Sequence, residues 1–184
     1  MELFEKRGYL ETTVEDIATR AGLTERTFFR YFADKREVLF SGSAELEKII
    51  TEGIAHAPAD VSPLEVVTRT LVMAGAALQA LRELRYVRAR HSLVVQHAEI
   101  QERELIKLAA LARAITEALH ARGVAEPAAS LAAEAGIAVF KIGFERWLSE
   151  GKPSDFAAHI RAAMEGLQAL AAQANAEVTR EVGR

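Results

Sequence analysis

The stretch from Thr12 to Phe40, TTVEDIATRAGLTERTFFRYFADKREVLF, carries three helix-start signals in close succession, and no other feature constrains the fold as tightly. Thr13 is followed three residues later by Asp16, so the hydroxyl can accept from the third amide of a new helix while the carboxylate reaches back. The spacing of Val14, Ile17, Ala18 and Ala21 predicts a helix with these residues on its buried face, ended by Gly22 in a left-handed conformation. Thr24 restarts the chain as an N-cap, with Leu23 before it placed to staple onto Phe28. The next helix, Glu25 to Phe32, turns Phe28 and Phe32 inward. It leaves Glu25, Arg26, Thr27, Phe29, Arg30 and Tyr31 on the outer face and flanks. Asp34 with Glu37 repeats the capping pattern for a third helix beginning at Lys35.

Two short helices joined by a tight glycine turn make a helix-turn-helix, whose second helix lies in the major groove and reads base edges with its N-terminal residues. The exposed residue types suit that task. Arg26 or Arg30 can donate two bonds to a guanine edge, Glu25 can accept from a cytosine amine, and Thr27 can touch a thymine methyl. Tyr31, the amide-rich starts of the helices at Thr13 and Thr24, and Lys35 suit phosphate oxygens. The DNA-facing set is therefore Thr13, Thr24, Glu25, Arg26, Thr27, Phe29, Arg30, Tyr31 and Lys35. The alternative for Arg26 and Arg30 is an ordinary polar face of a small bundle.

The run Phe4, Gly8, Tyr9, Thr12, Thr13, Val14, Asp16, Ile17, Ala18, Ala21, Gly22, Thr27, Tyr31, Phe32 and Lys35 resembles the DNA-binding signature of the tetracycline-repressor (TetR) family of bacterial transcription regulators. The signature is long and tightly spaced, and it covers the first quarter of the chain. The resemblance implies an all-helical, homodimeric repressor that leaves a palindromic operator in double-stranded DNA when a small-molecule effector binds its C-terminal domain. One departure stands out: the family commonly has a tyrosine where Phe29 stands, and the hydroxyl that usually meets a phosphate is missing.

A chain of 184 residues, half of them hydrophobic, with four prolines and abundant alanine, favours a helical globular protein with a substantial core. It has no cysteine, which excludes disulfides and thiolate metal sites. No apolar run of membrane-spanning length is read from the sequence, nor a basic region followed by an apolar one at the N-terminus, so a soluble, cytoplasmic protein with no membrane partner is expected. Net charge is −3, and Met1 to Phe40 holds seven basic and eight acidic residues, a weak footprint for a DNA binder. Met1 to Arg7 reads as the tail of a first helix, and the native chain is expected to extend before Met1.

The third helix is expected to continue through Leu46, Ile49 and Ile50 to a stop near Pro58. Further helices follow from about Leu64 to Leu81, Glu83 to Val95, Glu99 to Arg122, Pro127 to Glu150, with Gly151 as its stop, and Ser154 to Ala174, after Pro153. The tail from Asn175 onward reads as frayed. The expected fold is thus all-α with about nine helices: a helix-turn-helix domain over residues 1–45 and a ligand-binding and dimerisation domain over residues 46–184. Candidate effector contacts are Leu71, Gly75, Leu78, Arg88, Leu108 and Ala112. The effector is expected to be apolar or of acyl type, since Arg82, Arg85, Arg88 and Arg90 offer guanidinium forks for an acidic group. The alternative is that these arginines form a solvated helix face.

Gly136 and Gly143, with Val139 between them, form a line of small residues that would let another helix approach closely. With Ile160, Leu167 and Leu170 on the last helix they are expected to build a four-helix bundle with a second copy. The alternative is that both stripes pack inside one chain. The five histidines form no same-face pair with an acid between, and no phosphate loop or nucleophile elbow is present. No metal, cofactor or catalytic residue is expected, and the chain is not expected to be an enzyme. Two alternatives to a DNA-binding regulator are a helical protein–protein interaction module and a small-molecule enzyme using a central cavity.

Overall fold

The computed structural model describes residues 1–150 and 154–182. Among these residues every regular element is helical. In chain order they are α1 (Glu2–Arg7), α2 (Val14–Arg20), α3 (Glu25–Tyr31), a 3₁₀ helix (Lys35–Phe40), α4 (Ser43–His56), α5 (Pro63–Leu81), α6 (Leu84–Gln96), α7 (Ala98–Ala121), α8 (Ala128–Ser149) and α9 (Phe156–Val182). The fold is all-α with a helix-turn-helix near its N-terminus.

The chain packs as two compact units: Met1–Glu45 together with Arg82–Leu108, and Leu46–Leu81 together with Ala109–Arg184. In the first, Phe4, Tyr9, Leu39, Phe40, Val94 and Ile100 form the core, with Met1, Ile17 and Leu93 against it. The start signals behave as their chemistry dictates. Thr13 and Asp16 form a reciprocal capping box, and the Thr24 hydroxyl accepts from the amide of Thr27. Gly22 sits at φ +69, where a side chain would be strained, and the Leu23 amide donates to the Ala18 carbonyl across it. Ala18 and Phe28 are buried as predicted, but Ala21 is exposed: α2 ends at Arg20, one residue earlier than its apolar spacing suggests, and Ala21 is its C-cap. Leu23, the expected staple, is also exposed.

The pattern beginning at Lys35 predicts one helix as far as Pro58; the structure breaks it. Asp34 caps only the 3₁₀ turn, accepting from the amides of Arg36 and Glu37. The Glu37 side chain does not reach back to complete a capping box but turns to Arg103 and Lys107. Chain direction changes at Ser41 and Gly42, and the Ser43 hydroxyl donates to the Phe40 carbonyl at 2.8 Å as α4 begins.

In the second unit α5, α8 and α9 form the central packing. Their contacts use glycine where a side chain would collide. A Cβ on Gly75 would lie 2.6 Å from Ile160, one on Gly136 would lie 2.5 Å from Val67, and one on Gly143 would lie 3.1 Å from the backbone of Ile160. Trp147, Phe140, Phe144 and Phe156 pack ring against ring beside them. Gln79 ties α5 to the start of α9, donating to the Ser154 carbonyl at 3.1 Å and accepting from the Phe156 amide at 2.8 Å. Arg122 closes the end of α4 by donating to the carbonyls of Ile54, Ala57 and Pro58.

Two expectations change here. By length and composition α5 could cross a membrane, contrary to the sequence reading, yet Val66, Val67 and Leu71 are fully buried within the protein. The last helix does not end near Ala174 but continues to Val182. The stop at Gly151 and the turn at Pro153 lie outside the described residues.

Candidate nucleic-acid interface

The outward surface of the first unit is set by α2, its turn and α3. At the start of α2 the Thr13 amide donates to the Asp16 carboxylate at 3.0 Å and the Asp16 amide donates to the Thr13 hydroxyl at 3.1 Å. The amide and hydroxyl of Thr13, and then Arg7, hold the Asp16 carboxyl below the usual carboxylate range. Arg7 to Asp16 and Arg20 to Glu2, both at 2.6 Å, join α1 to α2. Such exposed pairs add little energy, so the orientation of α2 rests on its cap and its buried residues.

Helix α3 is anchored by Phe28, 3% exposed, whose ring lies 5.2 Å from that of the half-buried Phe32. Around the rest of the helix Glu25, Arg26, Phe29 and Arg30 are exposed, while Thr27 is half-buried, with its hydroxyl 3.0 Å from that of Thr24. The Arg30 guanidinium lies over the Tyr31 ring at 4.8 Å and donates to its hydroxyl at 2.9 Å. The structure therefore gathers Thr24, Glu25, Arg26, Thr27, Phe29, Arg30 and Tyr31 on one short helix and its cap, and Thr13 at the start of the helix before it.

Lys35 behaves differently from its expected role. Its ammonium donates to the carbonyls of Tyr9 at 2.7 Å, Leu10 at 3.2 Å and Thr12 at 2.9 Å, and lies 4.4 Å from the centre of the Tyr9 ring. Three donors thus meet three acceptors, and the turn between α1 and α2 is clasped to the start of the 3₁₀ helix. Thr12 completes this junction from inside, fully buried, donating to the Gly8 carbonyl at 2.7 Å. Burial and the Glu99 carboxylate keep the Tyr9 hydroxyl protonated far above its ordinary range. Lone polar residues in a sequence do not announce such partners.

The arginine cluster also resolves into particular contacts. Arg90 donates to the Leu39 carbonyl at 2.7 Å, pairs with Glu104 at 2.5 Å and lies 4.8 Å from the Phe40 ring centre. Arg85 pairs with Glu83, and Arg82 lies over Tyr86. Glu37 receives Arg103 and Lys107, and these cations, Arg103 first, hold its carboxyl below the usual range. So α6 and the first part of α7 brace the 3₁₀ helix.

Of the candidate effector contacts, Leu71, Gly75, Leu78 and Ala112 belong to the second unit and Arg88 and Leu108 to the first. Leu71 and Gly75 are packed against α8 and α9 residues: Leu71 lies against Gly136, and Gly75 against Ile160 and Phe156. The dimerisation set requires correction. Gly136, Val139, Gly143 and Ile160 are buried within this chain, because the glycines admit α5 and α9 of the same chain and not a partner. Leu167 is half-buried, and of the six only Leu170, 66% exposed, lies at the surface.

These features define an all-helical protein with a firmly capped helix-turn-helix at its N-terminus. Residues 1–41 match the model of the bacterial regulatory proteins of the tetR family. The HTH-type transcriptional regulator TcmR of Streptomyces glaucescens is 37% identical over 68 residues, which are 37% of this chain and 30% of that protein. The chain thus spans less than a third of that relative's length. In three dimensions it resembles Thermus thermophilus FadR, a TetR-family transcriptional repressor solved in complex with lauroyl-CoA. The TM-score is 0.54 and the identity 23%, over 90% of this chain and 87% of that one, a likeness of fold.

Proposed function

We propose that this chain is a ligand-responsive, sequence-specific DNA-binding transcriptional regulator, a cytoplasmic repressor that leaves its operator when a small apolar or acyl-type effector binds. The observation that carries the proposal is α3 itself: a capped helix, anchored by Phe28, whose exposed face offers an acid, an arginine and an aromatic ring within its first five residues. These are groups that can distinguish base edges in a major groove. Residues 1–45 are assigned the DNA-reading role, with Thr13, Thr24 and Tyr31 directed to the backbone, and residues 46–184 effector binding and self-association.

The similarity in fold to a repressor solved with lauroyl-CoA supports an acyl-type effector, as does the apolar packing of α5, α8 and α9. Within the second unit Leu71, Gly75, Leu78 and Ala112 remain the candidate contacts. The effector acts only through different affinities for the DNA-competent and released shapes. A homodimer on a palindromic operator fits a helix-turn-helix reader, which gains affinity from two half-sites. With the glycines buried, the outward residues Leu131 and Ile142 of α8 and Leu170 of α9 are the apolar groups proposed to meet a second copy.

The test is selection of bound fragments from random double-stranded DNA, followed by titration of the winning site. Arg26→Ala is expected to relax the preference at one base pair per half-site, at a cost of about 1–3 kcal/mol. Absence of any sequence preference in the unmodified chain would overturn the proposal.

A further inference from the structure

Among the exposed side chains of α3 one, Phe29, is a large apolar group between two charged residues. At 3.6 residues per turn Phe29 falls about 40° around the axis from Glu25 and about 60° from Arg26, between an acceptor and a fork of donors. It is 53% exposed, and its ring stands against that of buried Phe28, edge to face, with centroids 5.5 Å apart and planes at 88°. The exposed ring is therefore held on a fixed support. Its neighbour Arg30 stacks on the Tyr31 ring and donates to its hydroxyl, and Glu25, Arg26 and Phe29 are exposed beside that pair.

A phenyl ring can neither donate to a base edge nor accept from one. Among the groups that the four base pairs show in the major groove, the 5-methyl of thymine is the apolar one. We propose that Phe29 is a specificity-determining residue that reads a thymine through its 5-methyl group, beside the base pair read by Arg26. This rests on the DNA-binding function proposed above and deepens it: the site prefers thymine over cytosine at one position per half-site, by contact with a methyl and not by a hydrogen bond. Isolated exposed aromatics are common on protein surfaces. What distinguishes Phe29 is its place between Glu25 and Arg26 and the Phe28 ring against which it stands.

Replacing thymine by deoxyuridine removes the methyl and leaves every hydrogen-bonding group in place, so it isolates the contact. The site selected by the full chain is resynthesised with each thymine replaced in turn, and binding is measured at constant salt. Burial of one methyl corresponds to a factor of roughly four in affinity. The expected result is one position per half-site where uracil weakens binding roughly fourfold, with the effect abolished in Phe29→Ala. Melting and salt dependence of that variant should stay unchanged, since the ring is half exposed and carries no charge. If no thymine is sensitive in the unmodified chain, or if Phe29→Ala keeps the same sensitivity, the inference is overturned while the function stands. If no site can be selected at all, the proposed function fails, and the inference with it.

Discussion

Replacing Lys35 by methionine separates two roles for one ammonium. Methionine keeps most of the apolar stem and removes the charge and its three donors. The bonds to the carbonyls of Tyr9, Leu10 and Thr12 sit at a half-buried junction, where each contributes about 1 kcal/mol net. The ammonium over the Tyr9 ring adds about 0.5–1 kcal/mol. Releasing the long side chain from its fixed geometry returns about 1 kcal/mol of entropy. The expected loss is about 2–3 kcal/mol, read as a lower urea midpoint with an unchanged slope. Specific DNA binding, measured well below that midpoint, should keep its salt dependence. A phosphate-binding lysine would behave in the opposite way: stability would change by less than about 0.5 kcal/mol, and the salt slope would fall by about 0.9 per contact. That outcome would refute the clasp.

Other consequences follow from the same packing. Thr13→Ala removes the capping box at α2 and should cost about 1 kcal/mol in urea unfolding, with Thr13→Ser restoring most of it. Gly143→Ala gains up to about 1 kcal/mol of helix propensity, but its Cβ would meet the immovable backbone of Ile160 and His159, an overpacking of about 1–3 kcal/mol. A net loss of about 1 kcal/mol that does not vary with protein concentration is expected, and a gain in stability would mean that α8 and α9 are not in close contact. Glu37 titrates below its ordinary 4.5 when folded, so its stabilisation is complete above that pH and is lost as the pH falls through the lower folded value. Arg103 stays charged throughout, so Glu37 sets the window. Glu37→Gln should lower the melting temperature at neutral pH and flatten its decline below pH 4.5, and an unchanged acid limb would show that the pair does not contribute.

What could be read from the sequence was what is local. Thr13 with Asp16, Thr24 with Thr27 and Gly22 as a turn are decided by residues within one helical turn, so their chemistry alone predicts them. The long-range choices were not legible. Lys35 finds carbonyls more than twenty residues earlier, and Arg90 finds Leu39 more than fifty residues earlier. A lysine at a helix start looks the same in sequence whether it meets phosphate or carbonyls. The glycine stripe at Gly136 and Gly143 shows the same limit. Small residues at helical spacing declare that a helix will come close, but not whose helix it is, and here Val67 and Ile160 of the same chain fill the space. At Lys35 the Asp34 cap starts a helix as expected, but it is a short 3₁₀ helix that ends before the turn at Ser41 and Gly42.

The weak basic character of the N-terminal unit acquires a definite meaning from these contacts. Of the seven cations among residues 1–40, Arg7, Arg20 and Arg36 are paired with Asp16, Glu2 and Asp34, and Lys35 is closed over carbonyls. Arg90, Arg103 and Lys107, which arrive in the same unit from α6 and α7, meet Glu104 and Glu37. Much of the positive charge is therefore matched by neighbouring carboxylates or carbonyls, which accounts for the weak basic footprint of this unit. Affinity for DNA of any sequence grows with the number of phosphates neutralised, whereas discrimination comes from base edges. On the DNA-reading role proposed above, discrimination would rest on the groups that α3 leaves exposed: Glu25, Arg26, Phe29 and the stacked Arg30.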